Sequence, residues 1–346
     1  MNFTSDNCYG VSPAILDAIA RAGHGTDVSY GDDAITARLQ RRFAELFERE
    51  VAVFPVITGS AANALALSTL VPPHGAILCH EASHVLSDEC GAVEMFTHGA
   101  RLVGIAGRDG KLWPDGVQAA LARFEKGSVH HAQPAAISLT NASELGTVYR
   151  VDEVAALAEV ARAGGLALHM DGARFANAAA ALGRAPAELT WRAGVDVLSF
   201  GATKNGAMGA EAVVFFDPAL ARDFEYRRKK AGHLMSKMRF VSAQLEAYLE
   251  GGPGNGLWLA NARRANAQAR KLADALGPRL AFPVDSNEVF ARIPVATAAK
   301  LRAAGASFYD WAPAKDGEVL VRLVTSFATP DEDVARFLDV MGSDAR

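Results

Sequence analysis

The sequence predicts an α/β protein with a mainly parallel sheet, helices on both faces and a smaller C-terminal α+β domain. Short apolar runs alternate with Ala-rich helical stretches through the first part of the chain, which is typical of buried parallel strands joined by crossover helices. The breaker cluster GGPGNG at 251–256 is followed by a different pattern. The length of 346 residues is large for one hydrophobic core. We therefore expect a large domain at 1–250 and a small domain at 251–346.

The apolar runs of the large domain predict strands that cross one sheet. They lie at 51–57, 75–80, 100–106, 134–140, 166–171, 195–201 and 211–216. The stretches between them predict helices, and two have terminal signals, because Pro114 stands in a first turn and Gly165 follows a last turn. These helices lie at 60–70, 85–96, 114–125 and 151–165. Ligands of such sheets bind beyond the carboxyl ends of the strands, where we look for the site.

The small domain shows a strand–helix–strand pattern and a final helix. We predict strands at 289–294 and 318–327, a helix between them at 301–311, and a last helix from Pro330. Long helical segments flank the breaker cluster at 251–256. One long helix can therefore bridge the two domains.

Composition and charge exclude several classes of function. The net charge of −4 implies no general affinity for nucleic acid or membrane surfaces, and no apolar stretch reaches the ~18 residues of a membrane helix. The first ten residues are polar, so we expect no signal peptide. The cysteines Cys8, Cys79 and Cys90 lack metal-binding spacing and cannot all pair. We therefore expect no metal site and a reducing, cytoplasmic location.

Two charged residues follow neighbouring apolar runs. Asp171 ends the strand in HMDGAR, with Arg174 three residues on, and Lys204 lies among small residues in SFGATKNG after the next strand. Both strand ends should reach the same edge of the sheet. Asp171 alone could equally be a helix N-cap, and Lys204 a solvated loop cation. The small flanking residues favour a buried lysine with a function.

A third feature is the helix start in TGSAANALAL. Gly59 and Ser60 follow a strand and open a helix, whose free N–H groups and dipole suit a phosphate. No G-K-[ST] sequence follows, so this is not a Walker A loop. A serine at a helix start is also a common cap.

Together these features indicate pyridoxal 5′-phosphate chemistry. Lys204 can form a Schiff base with the cofactor aldehyde. Asp171 can pair with the protonated pyridine nitrogen and keep the ring an electron sink. The helix start at Gly59 and Ser60 can hold the phosphate. The small residues around Lys204 leave room for a flat cofactor.

The chain resembles the threonine aldolases of the fold-type I pyridoxal-phosphate superfamily, in particular their low-specificity and phenylserine-type branch. The resemblance covers nearly the whole chain and is weaker in the C-terminal third. Its motifs are SDN at 5–7, YGDD at 30–33, TGSAAN at 58–63, HEASH at 80–84, DECGA at 88–92, HMDGARF at 169–175, ELTWRAGVDVLSFGATKNG at 188–206 and RRKKAGHLMSKMRF at 227–240.

The resemblance implies roles for further residues. His84 would stack on the pyridine ring, and Arg174 would contact the cofactor's phenolic oxygen and the substrate carboxylate. Ser5 and Arg322 would complete the carboxylate site, where a planar guanidinium binds bidentately. Arg322 could instead be a strand arginine on a solvated face.

Three residues are implied less directly. His130 matches a second active-site histidine that would face the substrate hydroxyl, although His131 could point inward instead, or both could be exposed loop residues. Lys229 and Lys237 would reach the cofactor phosphate, as basic residues of this region do in the family, some of them from a neighbouring subunit. We therefore expect a homo-oligomer, a dimer or tetramer with its active site between subunits.

The activity implied by the resemblance is retro-aldol cleavage of L-threonine, L-allo-threonine or phenylserine-type β-hydroxy-α-amino acids to glycine and an aldehyde. The alternatives are a β-eliminating lyase, a serine hydroxymethyltransferase-like enzyme, for which no folate site is apparent, and a pyridoxal-phosphate-binding regulatory or carrier protein. A regulator would usually add a DNA-binding module, and the sequence shows none.

Overall fold

The computed structural model describes residues 1–342, so the last four residues of the predicted small domain lie outside it. Its larger sheet is built from the strands that the apolar runs predict. They are β1 (Ala52–Val56), β2 (Gly75–His80), β3 (Arg101–Ile105), β4 (Gln133–Thr140), β5 (Ala167–Gly172), β6 (Val197–Gly201) and β7 (Glu211–Phe215).

The strand order is β1-β7-β6-β5-β4-β2-β3. Strands β6, β5, β4, β2 and β3 pair in parallel, whereas β7 runs antiparallel to both β6 and β1. The carboxyl ends of β1, β2, β4, β5 and β6 therefore meet at one edge, together with the start of β7. This is the edge at which ligands of α/β sheets bind.

The helices pack their apolar sides against both faces of the larger sheet, in more than one buried cluster, and against a second, smaller sheet. They are α1 (Pro13–Ala22), α2 (Ala34–Phe47), α3 (Gly59–Leu70), α4 (His84–Ser87), α5 (Ala92–Phe96), α6 (Pro114–Leu121), α7 (Val151–Gly164), α8 (Phe175–Leu182), α9 (Pro186–Leu189), α10 (Phe224–Lys230), α11 (Arg239–Tyr248), α12 (Leu257–Leu276), α13 (Val295–Ala303) and α14 (Asp331–Gly342). None of these helices is long and apolar enough to cross a membrane.

The single helix predicted at 85–96 is wrong, because the chain forms two short helices, α4 and α5. Cys90 and Gly91 between them both have left-handed backbone angles, with φ of 52° and 75°, and this conformation ends a helix. The break leaves Glu89 buried, with 6% of its surface exposed.

The second sheet has three antiparallel strands in the order β8-β10-β9: β8 (Glu288–Pro294), β9 (Tyr309–Lys315) and β10 (Glu318–Val324). The helix predicted at 301–311 is wrong, since that stretch contains the end of α13 and the start of β9. Strand β9 was missed because it is an edge strand whose residues are mostly exposed, so its sequence lacks the apolar pattern of a buried strand.

Both ends of the chain join this smaller sheet. Phe3 accepts a backbone hydrogen bond from Val324 and donates one to Ser307, and its ring lies in the apolar cluster that includes Val321 and Phe337. Helix α12 contacts α8 in the larger unit and β8 and α14 in the smaller one. The boundary at 250 remains a prediction.

Candidate active site

A cavity of about 390 Å³ opens at the carboxyl edge of the larger sheet. Its walls come from the segments that follow β1, β2, β4, β5 and β6, and from the start of β7. Among the predicted site residues, it is lined by Gly59, Ser60, His84, Asp171, Arg174 and Lys204.

Lys204 is held in a tight turn after β6. The next residue, Asn205, donates to the Tyr248 hydroxyl at 2.6 Å and to the Trp258 carbonyl at 2.8 Å. Gly206 has φ of 117°, and a Cβ there would clash with the Ser12 hydroxyl. The small residues around Lys204 therefore serve the turn as well as the cavity.

Asp171 lies at the end of β5 and is 3% exposed. Its Oδ2 accepts a hydrogen bond from Asn63 Nδ2 at 2.8 Å, and its Oδ1 accepts one from the Ala173 N–H at 2.9 Å. Both carboxylate oxygens are therefore fixed. A buried carboxylate needs such hydrogen-bond partners, and a cation bound in the cavity would add the opposite charge.

Helix α3 begins at the cavity. The Thr58 hydroxyl caps it by accepting from the Ala61 N–H at 3.2 Å, so Gly59 and Ser60 lie in the first turn, where N–H groups lack partners within the helix. A Cβ at Gly59 would meet nothing within 4 Å. The glycine therefore leaves open space in front of an anion-binding helix end.

His84 begins α4 and is held by two carboxylates. Its ring Nδ1 lies 3.0 Å from Glu89 Oε1, and its backbone N–H donates to Glu144 Oε1 at 2.8 Å. The hydrogen bond with Glu89 raises the pKa of His84, against the effect of burial. The imidazole is therefore fixed through Nδ1.

Arg174 forms the opposite wall of the cavity. Its Nε and Nη2 donate to Asp6 at 2.8 and 3.0 Å, and its Nη1 lies 3.1 Å from Glu288 Oε2. Burial raises the pKa of Asp6, but the charge of Arg174 and its hydrogen bonds outweigh this and hold that pKa below its usual range. The cluster is therefore an ionised pair with a second carboxylate beside it.

Two further carboxylates line the cavity. Burial raises the pKa of Glu144 to about 7 and that of Glu211 to about 7. Glu144 Oε1 also accepts from the Thr140 hydroxyl at 2.8 Å, and Glu211 Oε2 accepts from the Ala202 N–H at 3.0 Å. Both groups can gain or lose a proton near neutral pH.

Ser5 and Arg322 lie beside the cavity, outside the residues that line it. Ser5 caps a short 3₁₀ turn by accepting from the Asn7 N–H, and Asn7 does line the cavity. Arg322 Nη2 donates to the Thr4 carbonyl at 3.3 Å, and its guanidinium lies 5.0 Å from the ring centre of Trp311. Their carboxylate-binding role remains a prediction.

His130 does not reach the cavity of its own chain. It is exposed in a turn before β4, and thus at the amino end of that strand, whereas the cavity lies at the carboxyl ends. The neighbouring His131 is also exposed there, with its Nδ1 accepting from the Glu125 N–H. His130 therefore does not line the cavity of its own chain, and its role at an active site stays a prediction.

Lys229 and Lys237 are both exposed and do not line the cavity of their own chain. Lys229 Nζ lies 4.3 Å from the ring centre of Tyr30. A role of the two lysines at a phosphate site is not supported by the cavity of their own chain. A contribution to the site of a neighbouring subunit stays a prediction.

Several site residues were missed by sequence reasoning, and all of them hold or accompany a predicted residue. They are Asp6, Asn63, Glu89, Glu144, Glu211 and Glu288. Three of them stand in the motifs SDN, TGSAAN and DECGA, so membership in those motifs was an available signal. Nothing in the local sequence around Glu144, Glu211 or Glu288 indicates a buried carboxylate.

The cavity residues fit pyridoxal 5′-phosphate. An amine (Lys204), a fixed carboxylate (Asp171) and an anion-binding helix start with open space at Gly59 match the aldehyde, the pyridine nitrogen and the phosphate of that cofactor. Buried oxygens at the same cavity, Glu89 Oε2 and Glu144 Oε2, have no protein partner among residues 1–342. Such atoms are usual where a polar ligand binds.

Comparison with known proteins agrees with this fit. The chain is 46% identical over 312 residues to a low specificity L-threonine aldolase of Pseudomonas sp., covering 89% of this chain and 88% of the relative. It is 44% identical to one of Pseudomonas aeruginosa, with 96% and 94% covered. The solved structure of a threonine aldolase from Leishmania major matches with a TM-score of 0.93 at 29% identity, over 100% of this chain and 99% of that one.

The structural match confirms the predicted fold class, a mostly parallel sheet with helices on both faces and a small C-terminal sheet. A family model described as beta-eliminating lyase matches residues 2–295. That match covers most of the chain, including every element of the larger sheet. The protein belongs to the beta-eliminating lyase family, and its similar relatives are threonine aldolases.

Proposed function

We propose that this protein is a pyridoxal-phosphate-dependent L-threonine aldolase that cleaves β-hydroxy-α-amino acids to glycine and an aldehyde. The observation that carries the proposal is the meeting of Lys204, Asp171, His84 and the start of α3 at one cavity. The chain that builds this cavity is 46% identical to a low specificity L-threonine aldolase.

When bound, pyridoxal 5′-phosphate supplies an electron sink for the pair released as the Cα–Cβ bond of the substrate breaks. Lys204 provides the amine that anchors the cofactor through its aldehyde. Asp171 provides a negative charge that keeps the pyridine nitrogen protonated. Because Asn63 and the Ala173 N–H bind both oxygens of Asp171, this charge stays in one place throughout turnover.

The substrate hydroxyl must lose its proton as the aldehyde forms. His84 lines the cavity, and because Glu89 holds its Nδ1, Nε2 is the ring nitrogen left to take that proton. A histidine suits this task because its pKa lies near the working pH.

Arg174 orients the substrate through its carboxylate. Asp6 and Glu288 fix the guanidinium at 2.8–3.1 Å, so the position of the bound carboxylate is set in advance. We include Ser5 and Arg322 in the carboxylate site, since Arg322 donates to the carbonyl of Thr4, the residue before Ser5. A fixed carboxylate sets the rotation about Cα and thus which bond of the substrate breaks.

We include a homo-oligomer, a dimer or tetramer, and a cytoplasmic location in the proposal. The cysteines Cys8, Cys79 and Cys90 are unpaired, which suits a reducing compartment. Lys229 and Lys237 are free to serve the site of a neighbouring subunit, since neither lines the cavity of its own chain.

β-Elimination is the second candidate, favoured by the description of the matching family. The same anchor and electron sink would serve it, but the products differ. A panel of L-threonine, L-allo-threonine and phenylserine separates the two, together with tryptophan- and cysteine-like substrates. We expect glycine and an aldehyde without ammonia. Ammonia and a 2-oxo acid would favour elimination, and no turnover of any of these substrates would contradict both.

A further inference from the structure

Four buried or half-buried side chains form one hydrogen-bonded chain across the cavity wall. Asn63 Nδ2 donates to Asp171 Oδ2 at 2.8 Å and to Glu89 Oε1 at 2.9 Å. The same Glu89 oxygen lies 3.0 Å from His84 Nδ1. The Glu89 side chain is completely buried, whereas His84 is 41% exposed. The hydrogen-bonded chain therefore links a partly exposed imidazole to a fully buried carboxylate, and both residues line the cavity.

We propose that Glu89 is a positioning residue that acts through His84: it fixes the proton on Nδ1 and so leaves Nε2 to exchange a proton with the substrate. This inference rests on the proposed function. It adds a second role for Asn63, which holds Glu89 and Asp171 at a set spacing, so that the histidine and the ring-nitrogen carboxylate stay aligned.

The hydrogen inventory supports this assignment. Asn63 Nδ2 has two hydrogens, and the two hydrogen bonds above use both. An ionised Glu89 can only accept hydrogen bonds, so the hydrogen between its Oε1 and His84 lies on Nδ1. A neutral His84 then has its lone pair on Nε2. A proton taken from the substrate hydroxyl arrives at Nε2, and the O–H bond electrons remain on oxygen as the aldehyde forms.

The resulting imidazolium is stabilised by the charge of Glu89. Other charged groups act on His84 as well: Asp171 raises its pKa and Lys204 lowers it, and Glu144 accepts from its backbone N–H. Glu89 is distinct among these groups because its carboxylate is hydrogen-bonded to the imidazole ring itself. Its effect is also the largest of those on the pKa of His84.

The test compares Glu89→Gln with Asp88→Asn. Asp88 is exposed and accepts from Ser87, so it controls for loss of one carboxylate in the same segment. In Glu89→Gln we expect kcat/KM to fall roughly 10- to 100-fold, as for loss of a charge-assisted hydrogen bond. The acid limb of the pH profile should move to lower pH, because the pKa of His84 falls without its partner. Asp88→Asn should change neither.

A double-mutant cycle separates positioning from a merely structural role. If Glu89 acts through His84, then adding Glu89→Gln to His84→Asn should change kcat/KM by less than about twofold. If Glu89→Gln lowers kcat/KM by the same 10- to 100-fold in the His84→Asn background as in wild type, the proposal is overturned.

A second readout needs neither cofactor nor activity. In cofactor-free protein labelled at histidine, the His84 resonance, identified by its absence in His84→Asn, should titrate at lower pH in Glu89→Gln than in wild type. Glu89→Asp, which keeps the charge, should titrate closer to wild type. If the His84 resonance titrates at the same pH in Glu89→Gln as in wild type, the proposed coupling between Glu89 and His84 is refuted. A shifted titration in a protein without aldol cleavage would refute the proposed function and leave the pair standing.

Discussion

The two walls of the cavity are built in different ways. The wall with Lys204, Asp171 and His84 comes from strand ends and helix starts of one sheet. The wall with Arg174 takes its partners from distant parts of the chain, since Asp6 precedes the first helix and Glu288 begins β8. One wall follows from the order of elements in a doubly wound sheet. The other requires the N-terminal segment and the smaller sheet to be folded onto it.

The walls also differ in how their charges are balanced. On the first wall, Asp171 is held by neutral donors, Asn63 and the Ala173 N–H, so a positive charge from a bound ligand can be accommodated. On the second wall, Arg174 already has two carboxylate partners. The first wall can therefore bind a positively charged group of a ligand. The second wall presents the fixed charge of Arg174, which can bind a carboxylate of a ligand. Lys204→Ala and Asp171→Asn alter the first wall, whereas Arg322→Lys and Asp6→Asn alter the surroundings of Arg174 on the second.

The largest effect should come from Lys204→Ala on the first wall. Wild-type protein with cofactor should be yellow and retain the cofactor covalently after borohydride reduction. The variant should lose this covalent retention, and activity should fall at least about 1000-fold because the nucleophile is absent. The control is Lys230→Ala, an exposed lysine of α10, which should behave as wild type. Covalent retention in Lys204→Ala would place the anchor on another lysine.

Asp171→Asn should have the second-largest effect on activity. The side chain keeps its shape but loses the charge that keeps the pyridine nitrogen protonated, so kcat should fall about 100-fold or more, the scale of a lost electrostatic contact at a reacting centre. Cofactor affinity, measured by titration of absorbance, should weaken much less. Near-normal turnover would contradict the role of Asp171 as the charge that maintains the electron sink.

On the second wall, Arg322→Lys keeps the positive charge and loses the planar fork. Loss of charge-assisted hydrogen bonds of ~1.5–3 kcal/mol should lower kcat/KM by roughly 10- to 150-fold. The visible spectrum should stay normal because the first wall is intact, and glycine should bind more weakly. Normal glycine affinity with loss of cofactor would instead place Arg322 in the fold or the phosphate site.

Asp6→Asn should have the smallest effect on turnover and a clear effect on stability. It removes the bidentate partner of Arg174, so we expect the free energy of unfolding at pH 7 to fall by ~1.5–3 kcal/mol. The pKa of Asp6 is lowered in the folded protein from its ordinary value of 3.8, so its contribution is present above that value and is lost as pH falls through the lower folded pKa. Denaturation at pH 7 and at pH 3 should show the difference between variant and wild type shrinking at low pH. A constant difference would mean that Asp6 is not ionised in the fold.

The sequence predictions succeeded for the apolar strands and failed for an exposed strand and for a break between two helices. The strands of the larger sheet were predicted because they read as apolar runs, and inner strands such as β2, β5, β6 and β7 are buried on both faces. Strand β9 was missed because one edge of a small sheet leaves its residues exposed. The break at Cys90 and Gly91 was missed because the surrounding residues keep a helical composition while the backbone turns left-handed.

Single residues of the site could also be predicted only where a local feature of the sequence marks them. Lys204 and Asp171 could be predicted because each ends a buried strand, and parallel strands bring their carboxyl ends to one edge. That His130 lies outside the cavity of its own chain could not be predicted, because resemblance identifies a matching position and not the end of the strand to which it is attached. Glu144 and Glu211 were missed because burial, which raises the pKa of each to about 7, is a property of the surroundings.

The sequence by itself predicted the class of fold, the cofactor and two residues that line the cavity, Asp171 and Lys204, because apolar runs and the residues that follow them are local signals. The tertiary structure alone decided which groups hold them: Asn63 between Asp171 and Glu89, and Asp6 and Glu288 on Arg174. Asn63 and Asp171 are 108 positions apart in the sequence, and Asp6 and Arg174 are 168 positions apart. Contacts at that separation depend on how the folded elements pack together, and a local pattern carries no record of them.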